Sequence, residues 1–184
     1  MKKTWHKLAM AFVATLGLSN AAWAITAPEA LNTAGSKAVE RKQAYCKSNP
    51  NGEGNALCSD SLRKVQELCL SNKNTQHSAD ACIFAIVYAM HDEMPLSAFA
   101  FSIAACEKKI ANSAIKDADV GCAYAFMLHG LLMVKNDSAQ EAMSTGKRLC
   151  KNENYNSIRK ISNTLLGEGD VDAICDPYRN MTKK

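Results

Sequence analysis

Eight cysteines constrain this chain of 184 residues more than any other feature: Cys46, Cys58, Cys69, Cys82, Cys106, Cys122, Cys150 and Cys175. The closest two are 11 positions apart. None therefore forms the CxxC or CxxxC pair that brings two thiolates onto one metal ion. An even set at such spacings reads as four disulfides, and disulfides persist in oxidising compartments. A chain of this length buries one modest core, which the bridges would stiffen.

The N-terminus agrees with that compartment. Lys2, Lys3 and Lys7 precede a short apolar run from Leu8 to Leu18, and Ala22-Trp23-Ala24 supplies the small–x–small pattern of signal peptidase cleavage. The expectation is a cleaved signal peptide over residues 1–24 and a single disulfide-rich α-helical domain over residues 25–184. The destination would be the periplasm or the extracellular medium of a bacterium. The apolar run is shorter than the roughly 20 residues that a membrane span needs, so no membrane insertion is expected after cleavage. The leader carries three lysines and no acidic residue, which accounts for most of the formal +4 charge. A nearly neutral processed chain gives no electrostatic support to nucleic-acid binding.

Apolar residues recur at helical spacing almost throughout, and no run alternates as a strand does. The pattern predicts helices over 28–46, 58–70, 79–91, from Pro95 onward, from Asp117 or Asp119 to 133, from Ser138 to 150, and over 155–166. A short last turn is expected over 170–175, before Pro177. Ser138 and Glu141 have capping-box spacing, and Pro95 suits a first helical position. The fold class is all-α: antiparallel helical hairpins stacked as a short solenoid and stapled by disulfides.

In such a hairpin the start of the first helix lies beside the end of the second, and a cysteine at each place can bridge them. Cys82 and Cys106, 24 positions apart, occupy those places, as do Cys122 and Cys150, 28 apart. The favoured pairing is 82–106 and 122–150, with 46–58 closing an Asn/Gly loop and 69–175 tying back the tail. A rival set joins consecutive helices: 46–58, 69–82, 106–122 and 150–175. Eight cysteines allow about 105 pairings, and spacing alone does not choose.

The text around the two hairpins also recurs, Ala81-Cys82-Ile83-Phe84-Ala85 against Gly121-Cys122-Ala123-Tyr124-Ala125, with first cysteines 40 apart. That is a period of helical repeats. With Gly130-Leu131-Leu132-Met133-Val134-Lys135-Asn136-Asp137 and then Ala139, Ala142 and Cys150, residues 79–151 resemble the Sel1-like repeats, and within them the cysteine-rich secreted helical-repeat proteins. Ala125 and Phe126 stand where that family has glycines. The resemblance implies a TPR-like array used for protein–protein interaction. It also implies penicillin binding or weak β-lactamase activity, for which no nucleophile motif is present here.

The search for chemistry returns little. No GxSxG, SxxK, HExxH or glycine-rich phosphate loop occurs. An even cysteine count leaves no spare thiolate nucleophile. His91-Asp92-Glu93 reads as a solvated helix end before it reads as an acid–base cluster. Met90, His91, Met94, Met127, His129 and Met133 form a possible soft-ligand set for Cu(I), although methionine is ordinarily core filler. Phe99 and Phe101, two apart on one helix, cannot share one core strip. One is a candidate to line a partner groove, the alternative being packing on a neighbouring helix. The expectation is a non-enzymatic exported protein without cofactor, binding another envelope or secreted protein or peptide. A periplasmic immunity or inhibitor protein, or a Met/His copper-binding protein, is the alternative.

Overall fold

The computed structural model describes residues 21–49, 55–134, 139–150, 152–166 and 170–181. Every regular element among them is an α-helix: α1 Ala21–Ser48, α2 Asn55–Cys58, α3 Leu62–Leu70, α4 Gln76–His91, α5 Pro95–Ala111, α6 Asp119–Val134, α7 Ala139–Leu149, α8 Asn152–Leu166 and α9 Asp170–Met181. Most of the expected signal peptide, and the Ser138 of the expected capping box, lie outside the described residues.

Helix boundaries follow local chemistry. The helix expected over 58–70 is divided, because Ser59-Asp60-Ser61 turns the chain and the Ser59 hydroxyl accepts from the Ser61 N–H. α4 starts three residues ahead of the expected Ala79. Thr75 is its N-cap, and Thr75 and Ser78 satisfy each other's backbone N–H groups reciprocally. Pro95 is the first residue of α5, as its sequence position suggested. α9 runs through Pro177 instead of stopping at residue 175. The turns on either side of the proline are held by the Cys150–Cys175 bridge and by Tyr178 against His129.

α4, α5 and α6 form the centre. Ala81, Ala85, Ala89, Ala98, Ala105, Ala123 and Ala125 are buried between them together with Ile83, Ile86, Phe99 and Phe126. Small side chains let the helix axes approach. A Cβ on Gly121 would stand 3.0 Å from the Ser102 carbonyl oxygen of α5, so α6 crosses there where only glycine fits. α4 and α6 lack a polar face, as befits helices with neighbours all round. α3, α7, α8 and α9 are more amphipathic and lie outside them.

All eight cysteines are bridged, in the pairs 46–58, 69–82, 106–122 and 150–175. The favoured pairs 82–106, 122–150 and 69–175 are thereby corrected, and the set joining consecutive elements is the one present. The bridged cysteines do lie at matching heights on neighbouring helices. In an up-and-down array, however, a helix start lies beside the ends of both the preceding and the following helix. The partner is then set by which face carries the sulfur, and here it faces across the shorter connection. Cα atoms are 4.6 Å apart for Cys69–Cys82 and 4.5 Å for Cys106–Cys122.

α1 runs antiparallel to α4 and also packs on α6 and α8, a contact that a one-dimensional repeat stack does not make. Its anchor is Arg41. The guanidinium donates to Asp80 from Nη2 at 2.7 Å and from Nε at 2.9 Å, and to Asp117 from Nη1 at 2.7 Å. Asp80 is fully buried and accepts a further bond from Gln76. The Gln76 side-chain oxygen in turn accepts from the Lys116 N–H. Asp117 therefore does not cap α6: its φ is 61° and its carboxylate is taken by Arg41 and Lys37. Burial alone would raise the Asp117 pKa, but the hydrogen bonds from Arg41 and Lys37 outweigh it and hold the pKa below the ordinary value.

Three experiments test this architecture. Peptide mapping without reduction should recover Cys69 linked to Cys82 and Cys106 linked to Cys122; fragments joining Cys82 to Cys106 would refute the pairing. Replacing both Cys106 and Cys122 by serine should lower unfolding free energy by about 3 kcal/mol, the chain-entropy value for a loop of about 15 residues. Arg41→Ala leaves the Asp80 carboxylate buried without its cation, and should cost about 3 kcal/mol or more in denaturant titration. Arg41→Lys should recover only part of this, because an ammonium cannot make the forked contact. Equal stability of all three chains would show that the clamp is dispensable.

Candidate binding groove

The bridges 69–82 and 106–122 lie at one end of the central helices, and so do the α3–α4 and α5–α6 connections. Lys108 ties the two connections together. Its Nζ donates to the carbonyls of Ser71 at 2.6 Å and Lys73 at 2.9 Å, just beyond the C-terminus of α3. The Asn112 amide donates to the Asn74 carbonyl at 3.1 Å. Lys108 is only 4% exposed. Its burial pulls the ammonium pKa below the usual lysine value, against the opposing pull of Glu107. Ser71 caps α3, its N–H and hydroxyl both donating to the Leu68 carbonyl, and Lys108 holds the carbonyls of the segment that leaves the cap.

Beside this junction a groove of about 690 Å³ opens between the end of α3, the outer face of α5 and α7. Its floor is a face of α5, with Ala100, Ala104 and Ala111 turned outward over Phe99 and Ile103. Leu70, 57% exposed, forms one wall. The other wall is α7, with Ser144, Thr145 and Arg148, and Arg148 reaches Glu107 at 3.2 Å across the rim. An apolar floor of short side chains with a polar rim is the form of a helix- or peptide-receiving surface.

Phe99 and Phe101, the two aromatics considered for partner contact, are 1% and 6% exposed. Neither is a presented side chain. α5 has neighbours on more than one side, so positions two apart both meet packed helices. Phe99 reaches the groove only as its foundation. No pattern in the α5 sequence marks the alanine face as open, because alanine serves equally at close helix contacts.

The six residues considered for copper fall into two environments. Met90 and Met94 are 37% and 40% exposed, and His91 is exposed beside them with Nδ1 3.0 Å from the Asp92 carboxylate. Met90 is therefore not core filler: at the end of α4 it faces outward. His129 is interior, with Nε2 2.6 Å from the Tyr178 hydroxyl, which also lies 3.9 Å from the Met133 sulfur. Met127 and Met133 are half-buried against the core. Among the described residues no three His, Cys, Asp or Glu side chains are grouped to hold a metal ion.

The His129–Tyr178 contact joins α6 to α9, and α7 closes over it. A Cβ on Gly146 would stand 2.7 Å from both His129 Nε2 and the Tyr178 ring. Burial pushes the His129 pKa down from 6.5 to about 4 and raises that of Tyr178. Below pH 6.5 the unfolded chain takes up a proton that the folded one refuses. Stability is therefore complete above pH 6.5 and falls between there and about pH 4. The loss is at most about 3 kcal/mol, from about 1.4 kcal/mol per pKa unit. Thermal melts of the intact chain should show this decline, and His129→Gln should flatten it. An unchanged acid slope in the variant would assign the decline elsewhere.

Comparison with protein-family models, with curated proteins and with solved structures finds no match to this chain.

Proposed function

We propose that the chain is an exported, non-enzymatic helical protein that binds another envelope or secreted protein, or a peptide, in the α3–α5–α7 groove. The observation that carries this reading is the groove: a concave surface whose floor and α3 wall are held by covalent bridges. Cys69 lines it and is bonded to α4, and Cys106, on the floor helix, is bonded to α6. A surface fixed before binding spends little further conformational entropy when a partner arrives. Four disulfides support an oxidising compartment, the periplasm or the medium, since such bonds are rare in a reducing cytosol. Among the described residues no helix is long and apolar enough to cross a membrane. The relation to Sel1-like repeats enters this reading as a shared plan of helical hairpins, with the bridges placed between consecutive elements.

Ala104 is the place to test it. It lines the middle of the floor and is half-buried at the edge of the packed face of α5, so Ala104→Arg carries a long cationic side chain into the groove. The variant should melt close to the parent, as surface changes usually do. It should bind the partner recovered with the parent chain from an exported fraction at least about tenfold more weakly. Equal affinity for that polypeptide would place the binding surface elsewhere.

A further inference from the structure

At the start of α5, about one turn before the groove residues Phe99 and Ala100, the α4–α5 turn carries a second surface of different character. Val87, Tyr88 and Met90 close α4, and Met94 and Leu96 open α5. These five are most of the large apolar side chains exposed among the described residues, Tyr88 at 51%. The inward side of the same two helices is filled by Ala85, Ile86, Ala89, Ala98 and Phe99, so the five have no core left to enter. Exposed apolar residues gathered in this way mark contact surfaces, whereas scattered ones need no explanation. The strip continues onto α1. A Cβ on Gly35 would stand 3.7 Å from a Val87 methyl group, and Val39, one turn further along α1, is 40% exposed.

The charges around this corner have one sign. From Ile83 to Cys106 there is no lysine or arginine, while Asp92 and Glu93 stand in the turn and are exposed. Glu29, on the part of α1 that runs toward the same end, is exposed as well. On the α1 part of the strip, Lys37 is paired with Asp117 at 3.3 Å and Lys42 stands over the Phe84 ring at 5.6 Å. We propose that this corner docks an amphipathic segment of a partner protein, with its apolar face on Tyr88, Met94 and Leu96 and its lysines or arginines against Asp92 and Glu93. Tyrosine and methionine are enriched in interfaces, and methionine adapts its shape to different apolar partners. A second copy fits poorly, because a two-fold contact on this patch sets acidic turns near each other. An anionic membrane surface fits poorly for the same reason of sign.

The test uses the full oxidised chain and a labelled helical peptide of about five turns, with leucine on one face and lysine on the other. A counterpart carrying glutamate in place of lysine is the control. The lysine peptide should bind saturably by fluorescence anisotropy, about tenfold or more tighter than the glutamate peptide. Tyr88→Ala and Met94→Ala should each weaken it several-fold. Asp92→Lys combined with Glu93→Lys should abolish or reverse the preference, and Ala104→Arg should leave it unchanged. Three results overturn the proposal: no saturable binding, equal binding of both peptides, or indifference to Tyr88→Ala. A dimer in sedimentation that Tyr88→Ala dissolves would assign the corner to a second copy. Capture by phosphatidylglycerol vesicles, lost in the same variant, would assign it to a lipid surface.

Discussion

The structure depends on the covalent closure of one end of its central helices. Cys69–Cys82 and Cys106–Cys122 join α3 to α4 and α5 to α6 at the level where Lys108 holds the Ser71 and Lys73 carbonyls just beyond α3. Alanine-lined helix contacts bury little apolar area per residue, so a core built largely from them is thin for the length of helix it must hold. The bridges compensate by restricting the unfolded chain, an effect that does not require bulky side chains. The same choice explains the groove. Its floor and one wall lie on helices that cannot separate, so an open surface persists where an unbridged array of small residues would collapse or splay.

A second constraint, the Arg41 clamp, acts between parts of the chain far apart in sequence. Asp80 is fully buried and its charge is tolerable only because the guanidinium forks onto both carboxylate oxygens. Through Asp117 the same arginine reaches the α5–α6 connection. α1 is thereby fixed to the start of α4 and to the approach to α6, near the bridged end. The chain closes on itself by this route, whereas a repeat stack would leave its first helix in contact with its immediate neighbours alone.

What the sequence shows and what it hides follow from the range of each interaction. The all-helical class, the four bridges and Pro95 at the start of α5 were legible, because periodicity, cysteine parity and proline geometry act locally. The capping of α4 by Thr75 and Ser78 is also local, but its signature is masked because serine stands where glutamate is usual. Disulfide partners were not legible. Cys82 lies at the same height as Cys69 and Cys106, and only the face of the helix separates the two choices. The Arg41–Asp80 pair, 39 positions apart, and the Lys108–Ser71 bond, 37 apart, leave no trace in local pattern. The groove was hidden for a related reason: Ala100 is exposed, Ala104 half-buried, and Ala98 and Ala105 fully buried, and the letters are the same.

The two ends of α5 therefore present opposite conditions for binding. At the groove the backbone is locked, the floor consists of side chains without rotamers, and a partner meets a surface that needs no ordering. At the α4–α5 turn no bridge closes the hairpin. The chain reverses through backbone bonds from the Asp92 N–H to Tyr88 and from the Met94 N–H to Ala89, with Glu93 at a φ of 57°. The exposed side chains there are long and have several rotamers, and ordering them costs free energy on contact. On the readings proposed above, shape selection would fall to the groove and adaptable, charge-guided contact to the corner. The two surfaces adjoin along α5, Ala100 of the groove lying about one turn from Leu96 of the corner, so occupants of both would share that helix.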